Sequence, residues 1–247
     1  MLKEYFEKYI TNVQKLTSKT AQNYDQALTK IAKVLKERDW YEFESLYEIE
    51  SYTELKRIEA ALRENEEFMA LDKKGKNMYT AGLHRYMEFI EGKHFKAVKD
   101  PLRLLDSKVA IPEKRLQDAR AVPNRDHILV RQVLMAEHYT CLCDASHTTF
   151  TAERTRKPYM EGHHLIPMSA QDHFAYSIDV YANIVSLCPT CHRLLHHGVL
   201  KEKKPVLERL FDVRKERLEE SGIRMGRREF LELVGEGQVH LESGLHY

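Results

Sequence analysis

Two segments concentrate the side chains able to bind metal or move protons. The first is Glu161-Gly162-His163-His164-Leu165-Ile166-Pro167, an acid and two adjacent imidazoles running into an apolar stretch. The second, NIVSLCPTCHRLLHHG from Asn183 to Gly198, brings two cysteines and three histidines. Polar groups set this close to apolar sequence need a partner or an ion. Four cysteines, at 141, 143, 188 and 191, all fall in the same part of the chain. Cys188-Pro189-Thr190-Cys191 has the C-x-x-C spacing that lets two thiolates bind one ion from a tight turn. Cys141-Leu142-Cys143 is one residue tighter, so its backbone must turn for both sulfurs to reach one ion. His147, six positions after Cys141, offers a substitute donor. The expected site is a structural Zn²⁺ held by Cys141, Cys188, Cys191 and either Cys143 or His147. Such an ion would contribute folding energy directly to a loop-rich unit. Four reduced thiols without metal are the bland alternative, and their pairing in a histidine-rich segment argues against it.

The elements that must position these groups can be read from periodicity. Residues 1–95 read as helical. Tyr5, Tyr9, Val13 and Leu16 recur at helical steps, and Ser18 is placed to cap a helix carrying Tyr24, Ala27, Leu28, Ile31 and Leu35. Ser51-Tyr52-Thr53-Glu54 has the form of a capping box before Leu55, Ile58 and Leu62. A further helix is expected from Asn77 to Glu91, closed by Gly92. The aromatics Tyr5, Phe6, Trp40, Tyr41, Phe43, Tyr47, Phe68, Tyr86 and Phe89 read as the core of a helical bundle, with base stacking as the minority reading. Residues 96–122 lose periodicity and read as a linker. Lys108, Lys114, Arg115, Arg120 and Arg125 give that region a basic bias suited to a backbone-gripping arm. Pro123-Asn124 opens a helix to about His138, short strand-like pieces follow to 187, and a helix begins near Pro189. Pro205 fits the first turn of a helix over 206–221 closed by Gly222, and a last helix lies near 227–234.

With EGHHLIP, Asn183 and CPTCHRLLHHG in order, residues 138–200 resemble the HNH, or ββα-metal, endonuclease family. Added to the N-terminal helical bundle read from periodicity, that resemblance implies a mostly helical α+β chain with a zinc-supported ββα-metal domain over 123–247 and trailing helices. It implies that His163 and His192 bind a catalytic divalent ion, with His196, one helical turn after His192, as a third ligand. His164 matches the general base, a role suited to a histidine because its pKa lies near neutrality. Successive strand residues point to opposite faces, so two adjacent histidines can divide these tasks. Asn183 matches the residue that fixes the loop and the orientation of the base. Glu161 matches an acid that orients the first metal histidine. The implied cofactors are Mg²⁺ or Mn²⁺ for catalysis and Zn²⁺ for structure. The implied substrate is duplex DNA, in restriction or antiviral defence, and a zinc-stabilised module without activity is the rival reading.

Composition narrows the partners further. The 247 residues carry a net charge of +1, which excludes a globally basic nucleic-acid binder but not local basic patches. Arg154, Arg156, Lys157 and Arg193 are candidates for backbone contact, though isolated charges are more often merely solvated. His84, His94, His127, His138, His173 and His240 lack ligand spacing, and His197 points off the metal face. No apolar run is long enough for a membrane span, and MLKEYFEKYI reads as an amphipathic helix rather than a secretory leader, so a cytoplasmic protein is expected. The SKTAQNYDQAL segment, through Thr20, Tyr24 and Leu28, is faintly similar to the helical DNA-gripping domain of tyrosine recombinases, whose catalytic set is absent. One ββα site cuts one strand, so a homodimer or a partner-protein assembly is expected for duplex cleavage.

Overall fold

In the computed structural model, residues 2–41, 43–111 and 127–236 are described, without the side chains of 127, 235 and 236. The chain forms two compact units, Met1–Leu105 and Asp106–Tyr247.

The N-terminal unit is helical: α1 (Leu2–Lys8), running into a π-helical turn at Tyr9–Val13, α2 (Ser18–Glu37), α3 (Tyr52–Arg63), α4 (Glu66–Lys74) and α5 (Met78–Glu91). Helices α2 and α5 pack most extensively, and Gly82 permits their approach: a Cβ there would lie 2.9 Å from the Ala27 Cβ. Around them Tyr5, Phe6, Tyr9, Tyr86 and Phe89 are fully buried, their rings meeting mostly at tilted or edge-on angles. Trp40 does not join this core. It is 40% exposed, with the Arg38 guanidinium over its ring.

Local signals settle the helix ends, with corrections to the sequence reading. Thr17, not Ser18, caps α2, its Oγ1 accepting from Thr20 N. Ser51 caps α3, but the reciprocal capping box lies at Ser45, whose backbone N–H donates to Glu48. The sequence reading leaves out α4, although Asn65 caps it and Glu66 and Glu67 occupy its first turn. Gly92 ends α5 at φ 73°, the left-handed region that favours glycine. The expected linker is partly packed, since Leu102, Leu105 and Val109 are buried. Residues 112–126, with Lys114, Arg115, Arg120, Arg125 and the expected helix start at Pro123-Asn124, lie outside the described residues.

The second unit holds α6 (His127–Ala136), β1 (Glu161–His164), β2 (Ile184–Leu187), α7 (Pro189–His197), α8 (Leu200–Glu220) and α9 (Arg227–Glu236). Strands β1 and β2 pair antiparallel, with Glu161 opposite Leu187 and His164 opposite Ile184. Helix α6 lies against both strands, and so closely at Gly162 that a Cβ there would sit 2.4 Å from Val130 Cγ1. That face of β1 has no room for a side chain at 162. Helix α8 starts at Leu200, several residues before the expected start, and carries Pro205 in its interior. Its buried arginines are paired: Arg217 with Asp106 at 2.5 and 3.0 Å, and Arg214 with Glu137 at 2.7 Å. The architecture is mostly helical with one small two-stranded sheet among the described residues, as the sequence implies.

Candidate metal centre and active site

Strand alternation sorts the two adjacent histidines. Glu161 and His163 project from one face of β1, while Gly162 and His164 take the other. Helix α7 crosses the first face. It begins at Cys188, whose Sγ accepts from Cys191 N at 3.4 Å, with Pro189 at the first helical position. This cap sets the phase of the helix, and residues four apart then share a face. His192 and His196 are therefore presented together toward His163.

The three imidazoles converge. Their ring centroids lie 5.1 Å (His163–His192), 4.9 Å (His163–His196) and 4.7 Å (His192–His196) apart, each pair nearly perpendicular. One nitrogen from each lies within 4.8 Å of the others. Burial lowers the pKa of His163 to about 3, and the imidazoles of His196, His192 and His164 add repulsion. A neutral ring with its lone pair free is the form that ligates a metal. His192 Nδ1 stands 2.5 Å from Glu161 Oε2, yet neither atom has an aligned hydrogen bond, and both are buried. Two buried polar atoms left in that state, beside two more imidazoles, fit a site built around a cation. Glu161 differs from expectation in its partner. It meets His192 rather than His163, because it shares the β1 face that α7 crosses, and its other oxygen accepts from the Tyr159 hydroxyl at 3.2 Å.

His164 faces elsewhere. Its Nε2 lies 2.9 Å from Oδ1 of Asp179, and the two side chains are 12% and 8% exposed. A carboxylate can only accept, so in the neutral ring the shared proton sits on Nε2 and the lone pair on Nδ1. The sequence reading does not include Asp179. The available signal is a single acid between Ile178 and Val180 in an otherwise apolar run, where a buried charge must have a partner.

Asn183 is fully buried and bonds to backbone rather than to the histidines. Its Oδ1 accepts from Ile166 N at 2.7 Å, and its Nδ2 donates to the carbonyls of Ile166 at 2.8 Å and Ile178 at 2.9 Å. One amide thus ties both ends of the long loop between the strands. It fixes Ile166, two residues past His164, and Ile178, next to Asp179.

A second cluster lies at the N-terminus of α7. Cys141, His147, Cys188 and Cys191 bring one donor atom each within 4.8 Å of one another. His147 Nδ1 is 3.4 Å from Cys191 Sγ and 3.6 Å from Cys188 Sγ. Leu142 N donates to Ser186 O at 2.8 Å, pinning the Cys-x-Cys segment beside β2. The Asp144 side chain then accepts from Ser146 N, and the Asp144 carbonyl accepts from His147 N, a turn that folds the imidazole back. Of the two options left by the sequence, the group of mutually close donors contains His147. Cys143 is buried and lies against Cys141 and Cys191 without joining that group. The Cys143 thiol beside it pulls Cys141 down to about 3, while burial pushes Cys191 up to about 12. Crowded thiols sharing one negative charge fit a site completed by a divalent cation.

Arg154, Arg156, Lys157, Arg193 and His197 are exposed and outside both clusters. His84 pairs with Glu59 and His94 approaches Glu88, while His138 and His173 are exposed. The side chain of His127 and all of His240 lie outside the described residues.

A strand pair, a helix, a histidine triad on one face and a cysteine–histidine cluster at the helix start thus lie together in the second unit, in the order that the sequence resemblance implies. Residues 143–198 match the family model for HNH endonucleases. Over 54 residues the chain is 43% identical to the Type IV methyl-directed restriction enzyme EcoKMcrA of Escherichia coli (strain K12). That alignment covers 22% of this chain and 17% of the relative. No solved structure matches the chain.

Proposed function

We propose that the protein is a metal-dependent DNA endonuclease that hydrolyses phosphodiester bonds in restriction or antiviral defence. The observation that carries this reading is the division of labour on β1: His163 joins His192 and His196, while His164 is engaged by Asp179 on the opposite face. A divalent ion, Mg²⁺ or Mn²⁺, held by His163, His192 and His196 would polarise the scissile phosphate and offset charge building on the leaving oxygen. His164 Nδ1 accepts the proton of the attacking water, and Asp179 holds the ring and stabilises the cation that results. Glu161 holds His192 in place, itself braced by Tyr159. Asn183 keeps the loop, and with it Asp179, in register with β1. Cys141, His147, Cys188 and Cys191 would hold a structural Zn²⁺, tying the residues before the hairpin to the start of α7.

These groups act on phosphate and water, which every nucleotide shares, so the site supplies chemistry rather than sequence preference. Recognition is assigned to the helical N-terminal residues 1–95 and to assembly as a homodimer or with a partner protein. No described helix is long and apolar enough to cross a membrane. The relative's description as methyl-directed makes modified DNA the substrate to test first. Purified protein is incubated with methylated and unmethylated plasmid, with Mg²⁺, with Mn²⁺ and with chelator. Metal-dependent nicking supports the reading. Absence of cleavage on every substrate under every metal would favour a zinc-stabilised binding module instead.

A further inference from the structure

The chain just before β1 has features that the proposed chemistry does not use. Residues 149–159 fold into a short hairpin, with Thr151 bridged to Pro158, Tyr159 N donating to Phe150 O at 2.9 Å, and Ala152 N to Lys157 O at 2.8 Å. Arg156 takes a left-handed φ of 54° in the turn. Two properties stand out. Phe150 is 65% exposed, the most open of the large apolar side chains described, although burying it would be favourable. Its ring partner among the described residues is Tyr159, stacked at 4.8 Å and 17°, which leaves one flat face of the pair uncovered. Beside it Arg154, Arg156 and Lys157 are all exposed, none in an ion pair with a described residue, and Glu153 is the sole acid of the hairpin.

The hairpin is anchored in the candidate active site. Tyr159, the inner ring of the stack, donates its hydroxyl to Glu161, which abuts His192. Arg193, the residue after His192, acts electrostatically on that same tyrosine and is also exposed. An uncovered aromatic face within a group of exposed cations, joined through one hydroxyl to the metal triad, has the chemistry of a single-stranded nucleotide site. Phosphates meet the cations and a base meets the ring.

We propose that the Phe150–Tyr159 stack is a platform for an unpaired nucleobase flanking the scissile phosphate, with Arg154, Arg156 and Lys157 gripping the adjoining backbone. The assignment rests on the nuclease reading for the identity of its ligand. A base lying on Phe150 must have left its own helical stack. The platform therefore favours DNA that is single-stranded, bulged or carries a base turned out of the duplex, and it gives a reason for the phenylalanine that phosphate binding alone does not.

The test is equilibrium binding in the 247-residue chain carrying His164→Ala, so that turnover is suppressed. Three labelled probes are compared: a single-stranded oligonucleotide, a duplex with one bulged base, and the fully paired duplex. Phe150→Ala is expected to weaken the first two by about five- to a hundredfold, the range of one base–aromatic stack, and to leave the paired duplex within about twofold. Arg154→Ala/Arg156→Ala/Lys157→Ala is expected to weaken all three and to lower the duplex salt slope by about 2 to 3, roughly 0.9 per lost phosphate contact. Phe150→Trp, in a Trp40→Phe background that removes the chain's single native tryptophan, should retain binding and lose fluorescence as a base stacks on the new indole. Equal loss by Phe150→Ala on all three probes overturns the platform. So does unchanged binding by that variant, or an indole signal at position 150 that is indifferent to the bulged and single-stranded probes. Because binding is read without cleavage, failure of the platform and failure of the nuclease reading remain separate results.

Discussion

Replacing Asn183 with alanine probes how the loop between the strands is held. The side chain is fully buried and makes three hydrogen bonds, at 2.7, 2.8 and 2.9 Å, to the backbone of Ile166 and Ile178. Each such bond contributes about 1 kcal/mol net, so their direct loss costs about 3 kcal/mol. The variant also strands one N–H and two carbonyls away from water, which raises the total toward about 5 kcal/mol. At roughly 2–4 °C per kcal/mol for a chain of this size, the lower figure alone lowers the unfolding midpoint by roughly 6–12 °C. Asn183→Asp sharpens the test. It keeps the acceptor for Ile166 N but turns an oxygen toward two carbonyls, so it should destabilise at least as much as alanine. Thermal and urea unfolding followed by circular dichroism measure both. If either variant melts within about 2 °C of wild type, or if aspartate is tolerated as well as asparagine, Asn183 is not the clamp described here.

Further outcomes follow from the same geometry. Asp179→Asn should cut single-turnover cleavage by about a hundredfold or more, because an amide no longer fixes the proton on Nε2, while metal stoichiometry stays unchanged; cleavage at the wild-type rate would contradict it. His147→Ala should drop bound zinc below one equivalent per chain by elemental analysis, whereas Cys143→Ser should retain it; the reverse pattern would return Cys143 to the ligand set. In metal-stripped protein, His163 has a folded pKa of about 3 against about 6.5 when unfolded, so the unfolded chain binds the extra proton between these values. Stability is then fully present above about pH 6.5 and falls as pH drops toward 3, by at most about 1.4 kcal/mol per pH unit. Urea midpoints across that range check the sign.

What is legible in the sequence depends on how local each constraint is. The pairing of His192 with His196 is a matter of helical pitch, and the opposite facing of His163 and His164 is a matter of strand pleat, so both can be read from spacing. Gly92 ends α5 for an equally local reason. The choice of His147 over Cys143 is not readable, because it depends on where the turn at Asp144 brings the chain relative to α7. Glu161 has His192 as its neighbour only because α7 crosses that face of β1. Asp179 lies fifteen positions beyond His164, across a loop whose course is set by Asn183. Helix α4 escapes notice for a weaker reason: its few apolar residues form no strong stripe, although the Asn65 cap is there to be read. Pro205 illustrates a misleading local signal, since a proline suited to a first turn lies inside α8.

The central claim is that three imidazoles serve the metal and the fourth serves the water. Manganese binding, followed by paramagnetic resonance, and plasmid nicking are measured on the same preparations of wild type, His192→Ala and His164→Ala. The account predicts that His192→Ala loses both, whereas His164→Ala binds manganese like wild type and nicks at least about a hundredfold more slowly. A His164→Ala protein that nicks at the wild-type rate, or that no longer binds the ion, would contradict it.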